Sequence, residues 1–328
     1  MKKVAIVLLS IMILGCAIPS LSNLKNASEV KTKAILLPEP FSSKYAEYSA
    51  MCPLMDGILL VPQYPERFKT DTTEGSFLFL KNTVLKNYIE GDSTSSIACN
   101  TIEVKGLDEL HKLEFYEGFE ACASDDAKLY FAIEIGGEKP YTIAVKGDFN
   151  AVDNTINLDS SSITKLETPI ILENATYESI ALFKQRLYFF YEGNGKAINP
   201  DAYALSTDKD FRNAEKIPFP NLEFRVTDAT SISDKGSFYV INYFWPGDAE
   251  KYKPQTDMVT LIEVPATGIE RLIPLKIFNG RIEPDLKAKV INLEYNDRNW
   301  EGIVRFEDGF LLVTDKYPET ELLYTVGK

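Results

Sequence analysis

The chain is predicted to be all-β, a β-propeller of five four-stranded antiparallel blades, with six as the alternative count. Two observations carry this. A strand–turn–strand pattern recurs five times with one fixed internal spacing, and further strand-like runs follow each recurrence. A third observation, a lone strand-like run near the N-terminus, supplies the strand that the last unit lacks.

The opening, "MKKVAIVLLSIMILGC", has Lys2 and Lys3, an apolar run from Val4 to Leu14, then Gly15 and Cys16. The run is too short to span a bilayer and has the shape of an export signal. Its end, "ILGC", resembles a bacterial lipobox. Cleavage before Cys16 and lipidation of its thiol are expected; the competing reading is an ordinary secretory peptide with a chance cysteine. Ala17, not Asp, follows the cysteine, which by resemblance to Gram-negative sorting rules directs the protein to the outer membrane. Residues 1–15 are thus read as signal, 16–32 as a polar tether and 33–328 as one propeller domain. The membrane partner is reached through the lipid anchor, and a monomer is expected.

With the two lysines of residues 1–15 removed, 33 basic residues face 48 acidic ones, a net charge of −15. Such a chain should avoid nucleic acid and anionic headgroups, and suits cations or anions bridged by cations. Of the remaining cysteines, Cys52, Cys99 and Cys122, no two are spaced like a zinc ribbon or a redox CxxC pair. One pair could bridge in an oxidising compartment, and spacing does not select which. The one histidine, His111, lies on a polar turn. GxSxG, HExxH and P-loop motifs are absent, so serine-triad and zinc-protease chemistries lose their main parts.

The repeat reads as follows. "YSAM" leads to "GILLVPQ", "FEAC" to "KLYFAIE", "YESI" to "RLYFFYE", "TDAT" to "GSFYVIN" and "WEGI" to "GFLLVTD". The second residue of each opening is the key position: Ser49, Glu120, Glu178, Asp228 and Glu301. The next residue is always small: Ala50, Ala121, Ser179, Ala229, Gly302. Fourteen residues on stand Gln63, Glu134, Glu192, Asn242 and Asp315, every one with a side-chain oxygen. Such residues make up roughly a quarter of a typical chain, so five in five by chance is on the order of one in a thousand. In an antiparallel hairpin turning near position 7, positions 0 and 14 are expected to face each other.

A third strand-like run follows in each unit: "SFLFL" at 76–80, "YTIAV" at 141–145, "AYAL" at 202–205, "MVTLI" at 258–262 and "ELLYT" at 321–325. Fourth runs include "TIEVK" at 101–105 and "RLIPLKI" at 271–277. The chain ends soon after the third run of the last unit, so "KAILLPE", 33–39, is expected to be its fourth strand, closing the ring and removing free sheet edges. No helix of note is expected. "GLDELHKLEF" has room for one turn, and "EVPATGIERL" reads as a linker.

First strands of propeller blades line the central axis. Ser49, Glu120, Glu178, Asp228 and Glu301 should therefore form a ring of oxygens. Four carboxylates in a narrow channel repel unless protons or a cation offset them. Oxygen-only ligands favour Ca²⁺ over zinc or copper, so calcium is the expected cofactor, with Asp315 from the second ring as a further ligand. The competing reading has inner-strand acids bonding backbone amides of the next blade. The second ring would complete the coordination, or reflect turn chemistry at strand ends. Arg67, Lys139, Lys196, Lys251 and Lys316 lie in the loops beyond, with Tyr64, Tyr243, Trp245 and Tyr317. A cationic rim over calcium would suit a small anionic ligand, with Gln63, Asn242, Lys196 and Lys316 contacting it.

"LLVPQYPERF", "IPFPNLEFRVTDATS", "FYVINYFWPGD" and "NWEGIVRFEDGFLLVTDKYPET" resemble segments of the phytase-like family of bacterial propellers, also called the esterase-like-activity-of-phytase family. The likeness runs from about Glu47 to Tyr324. The Ser/Glu/Glu/Asp/Glu order of key residues is similar to the calcium ring of the five-bladed calcium-activated nucleotidases. These resemblances imply calcium-dependent hydrolysis of a phosphoester or ester, in which Glu134 or Glu192 is the general base and Lys196 or Lys316 binds the anion. The alternative is a surface binding or scaffold propeller with structural calcium.

Overall fold

Each hairpin of the repeat forms where β-branched and aromatic residues alternate around a short turn. The computed structural model describes residues 19–26, 30, 32–91, 94–263 and 267–326; the export signal and Cys16 lie outside them. The first unit is a four-stranded meander of Tyr48–Leu54, Gly57–Pro62, Gly75–Lys81 and Asn100–Lys105. The second runs Tyr116–Asp125, Lys128–Ile135, Tyr141–Asn150 and Thr155–Glu167. Their outer strands pair in parallel, Thr155 to Asn157 beside Glu103 to Lys105, so the two meanders merge into one eight-stranded sheet. The third unit is a separate four-stranded sheet, Tyr177–Phe183, Arg186–Tyr191, Tyr203–Asp208 and Glu215–Pro218.

The fourth unit departs from expectation. Its third strand is Ile269–Phe278, so "RLIPLKI" is the third strand and not the fourth, and "MVTLI" is a turn. Residues 258–262 instead serve Asp257, which is buried and bidentate to Arg271 at 2.8 Å through each oxygen. Lys289–Asn292 and Arg281–Pro284 both pair with this long strand, at opposite ends. The fifth unit is Trp300–Phe306, Gly309–Thr314 and Leu322–Val326, and its outer strand is Thr32–Ile35, antiparallel to residues 322–325.

The segment expected as a free tether is partly built in. Lys25–Asn26 adds to the fourth sheet in parallel with Lys289 and Val290, and Leu21 and Leu24 are buried in the same cluster as Val290 and Ile282. Burying a leucine contributes about 1.5–3 kcal/mol, enough to hold a polar segment that carries two of them. A helix missed in the sequence, Asn82–Glu90, follows the third strand of the first unit; it buries Leu85 and Tyr88 and ends at Gly91. Its apolar face, Leu85 and Tyr88 flanked by the partly buried Val84 and Ile89, spans little more than one turn, too short for a repeated periodic signal.

The first strands follow one another around an axis. Tyr48–Leu54 packs on Tyr116–Asp125, that on Tyr177–Phe183, that on Arg225–Ala229, that on Trp300–Phe306, and the last returns to the first. All five contribute to one narrow cavity of ≈ 100 Å³ at one end of this axis, lined by residues such as Met51, Ile180, Ala229 and Ile303. Cys52 and Cys122 both line it; they and Cys99 are free thiols. The arrangement is all-β and of propeller type, with the apolar cores lying between successive sheets.

Candidate functional site

The key positions share one backbone feature that the spacing did not reveal. In each unit the key residue is the extra residue of a β-bulge. Tyr48 pairs with Pro62 and Ala50 with Val61, leaving Ser49 without a partner. The same two-against-one pairing brackets Glu120, Glu178 and Glu301. In the fourth unit Val226 pairs with Asn242 and Ala229 with Val240, so Thr227 and Asp228 share the bulge. A bulge bends the strand and re-aims a side chain. Positions 0 and 14 therefore do not face each other, correcting the simple register: Glu134 faces Gly118, and Asn242 faces Val226. The small residue after each key is explained by crowding at the axis. A Cβ on Gly302 would lie 2.7 Å from Val313 Cγ1 and 3.2 Å from Met51 N of the first unit.

Above the bulges opens a cavity of ≈ 980 Å³. Ser49, Gln63, Glu120, Glu134, Glu178, Glu192, Glu301, Asp315 and Lys316 line it, as do the aromatic residues Tyr64, Tyr243, Trp245 and Tyr317. Asp228, Asn242 and Lys196 do not. Asp228 is fully buried and accepts from Ala229 N at 2.8 Å and from Ile303 N, on the next first strand, at 2.7 Å. It performs the stitching role that the competing reading gave to inner-strand acids. Asn242 is equally committed, accepting from Arg271 Nε at 2.9 Å and donating to Arg225 O at 3.2 Å. Lys196 is exposed beyond the cavity. Of the other basic residues beyond the ring, Lys251 donates to Asn174 O and Arg67 pairs with Glu47 at 2.6 Å. Asp315 accepts from Tyr317 N at 2.7 Å, the turn chemistry foreseen for strand ends.

The residue that sequence reasoning missed is Arg225. Its guanidinium pairs with Glu192 through Nε, reaches Asn299 Oδ1 at 3.1 Å and Glu301 Oε1 at 3.3 Å, and lies 3.7 Å from Asp248. It places one positive charge among the acids of the ring. The only hint in the sequence is an arginine three residues before the key position in two units, Arg225 and Arg298.

One guanidinium cannot neutralise this many acids, and burial shifts several of them toward their protonated forms. Burial pushes the Glu134 carboxyl up to about 9, helped by Glu178 and Glu192. Burial likewise pushes Glu178 up to about 8; Arg225 and a hydrogen bond with Glu120 limit the rise. Glu120 is raised by burial and then by Glu178, although Gln63 Nε2 donates to it at 2.6 Å. Burial also raises Glu301, against the pull of Arg225. Glu120 and Glu178, bulge residues of neighbouring first strands, are thus buried carboxyls that disfavour each other's ionisation, because two like charges in one buried site do not both ionise. Glu134 Oε1 and Glu301 Oε2 are buried without a hydrogen-bond partner.

The expected calcium ligands do not make one donor set. Asp228 is turned to the next strand, Ser49 Oγ donates to Phe119 O at 2.5 Å, and among the described residues no three His, Cys, Asp or Glu side chains are disposed to hold a metal ion.

No family model matches the chain, and no curated protein matches it. Solved structures do. The apo form of the soluble aldose sugar dehydrogenase from Escherichia coli is 10% identical, covers 91% of this chain and 100% of its own, and has a TM-score of 0.47. The glutaminyl cyclase of Myxococcus xanthus is 10% identical over 91% of this chain and 98% of that one, with a TM-score of 0.44. A glycosyl hydrolase from Bacteroides ovatus is 8% identical over 92% and 93%, with a TM-score of 0.47. At this distance the likenesses assign no chemistry.

Proposed function

We propose that the cavity is the catalytic site of a hydrolase acting on an ester that bears no negative charge, carried on a five-bladed, lipid-anchored propeller exported to the outer membrane. The pair of buried carboxyls Glu120 and Glu178 lining the cavity carries this reading. Near pH 8 Glu178 can ionise and act as the general base while Glu134, which holds its proton up to about 9, remains the general acid. The base draws a proton from water as the water attacks the ester carbonyl, and Glu134, held protonated by burial, donates to the leaving oxygen. Arg225 fixes Glu192 and Glu301 and holds the floor rigid. Sequence resemblance to phytase-like propellers offered phosphoester or ester. The ester fits better, because Arg225 and Lys316, the basic residues lining the cavity, are already paired with Glu192, Glu301 and Glu47.

The test is hydrolysis of an uncharged aryl ester by the purified protein. Glu178→Gln should lower kcat by about 10²–10⁴, the usual weight of a general acid or base, with its melting temperature kept. A wild type inert toward uncharged esters, or a Glu178→Gln variant at full rate, defeats the reading.

A second reading, a binding or scaffold propeller with structural calcium, is favoured by the two unpartnered oxygens of Glu134 and Glu301. Calcium there would replace protons and would have to draw together carboxylates that now stand apart from any common donor set.

A further inference from the structure

We propose that the cavity takes a ligand bearing a positively charged nitrogen, a quaternary or protonated amine, held by the face of Trp245 within the acid-rich wall of the cavity. The inference deepens the hydrolase reading and rests on it for the ester part of the substrate.

Three observations carry it. The first is charge: ten acidic residues line the cavity against two basic ones. The second is the pair of unpartnered oxygens. Glu134 is 2% exposed and Glu301 6%, yet Glu134 Oε1 and Glu301 Oε2 make no hydrogen bond. A buried polar atom without a partner is costly, and both residues line the cavity, where an amine N–H or a ligand hydroxyl that reached these covered oxygens would relieve that cost. The third is how the aromatic wall is already used. Arg67 lies over the Tyr64 ring at 4.1 Å, Arg225 over Tyr243 at 5.3 Å and Lys316 over Tyr317 at 5.7 Å. Three of the five aromatic residues at the cavity thus hold a cation of the protein itself, and a fourth, Tyr48, is fully buried. Trp245, 46% exposed, holds none among the described residues. Indole is the strongest of the aromatic partners for a cation, and such a face set among carboxylates recognises ammonium groups.

The experiment uses two matched pairs of probes on the wild-type protein, so that no variant need fold. Choline and its uncharged isostere 3,3-dimethylbutan-1-ol are titrated in by calorimetry. Acetylcholine and 3,3-dimethylbutyl acetate are compared as substrates. Choline should bind at least about 10-fold more tightly than the isostere, in line with a desolvated cation–π contact, and acetylcholine should show the higher kcat/KM. Equal binding, or no binding of choline, overturns the proposal. Equal turnover of both esters also overturns it and leaves the hydrolase reading standing. Choline binding with neither ester cleaved keeps the cation site and removes the hydrolase. Trp245→Ala should weaken choline by about 2- to 30-fold while leaving the isostere nearly unchanged; equal weakening of both would reduce Trp245 to an apolar contact and overturn its role.

Discussion

Arg225 Nη2 lies 3.3 Å from Glu301 Oε1, a bond between two neighbouring first strands. Through Nε the same guanidinium pairs with Glu192 on the preceding hairpin. One side chain thus ties three units together at the floor of an acidic cavity. Arg225→Met should leave Glu192 and Glu301 buried without their counter-charge. Breaking a buried pair from one side costs about 3–5 kcal/mol. Urea denaturation at pH 7 should show a loss of that size, and adding Glu192→Gln should recover part of it. An Arg225→Met variant as stable as wild type would mean that the ring needs no cation.

Stability should fall with rising pH. Glu134 holds its proton up to about 9 in the folded protein and loses it near 4.3 when unfolded. Between those values the native state binds more protons, so unfolding free energy decreases as pH rises. Glu178, pushed up to about 8, adds to the same slope. The contribution is complete below the unfolded value and is lost as pH passes through 8 and 9. Thermal melts should therefore be highest near pH 5–6 and lower at pH 9, with Glu134→Gln flattening the decline. A melting temperature indifferent to pH across this window would contradict the buried, protonated carboxyls.

Asp228 and calcium can be separated in one experiment. Asp228 accepts two backbone amides, one of them across to Ile303. Asp228→Asn keeps the shape but turns an N–H toward one of those donors, at a cost of about 1–3 kcal/mol. The loss should be the same in calcium and in chelator. If instead calcium raises the wild-type melt and the variant abolishes that response, Asp228 is a metal ligand after all.

The N-terminal segment can be tested in two parts, the proposed anchor and the packed residues 19–26. Cys16→Ser should move the protein out of the membrane fraction or leave it unprocessed; a mature-length variant still partitioning with membranes defeats the lipoprotein reading. Deletion through residue 18 should leave the melt unchanged, whereas deletion through residue 26 removes Leu21, Leu24 and a parallel strand pairing. At about 1.5–3 kcal/mol for each leucine, the second truncation should be clearly destabilised. Equal melts would return residues 19–26 to the role of a free tether.

What the sequence determined by itself was whatever is local or periodic. Alternating apolar residues and a fixed fourteen-residue spacing located the hairpins, and the missing last strand pointed to Thr32–Ile35, which pairs where it was needed. Eight of the ten positions picked by that spacing line the cavity, because a residue at a bulge, or one opposite the residue two before it, ends near the axis. What only tertiary structure decided was orientation and charge partner. A bulge is a property of two strands together, so a register drawn from one hairpin put Glu134 opposite Glu120 when it faces Gly118. Asp228 matches Glu120, Glu178 and Glu301 in spacing, yet it turns to the amide of Ile303, a residue 75 positions away. Arg225 looks like one basic residue among many until three units fold around it. Ionisation follows the same division: the sequence counts the acids, and burial beside one another decides which of them keep their protons.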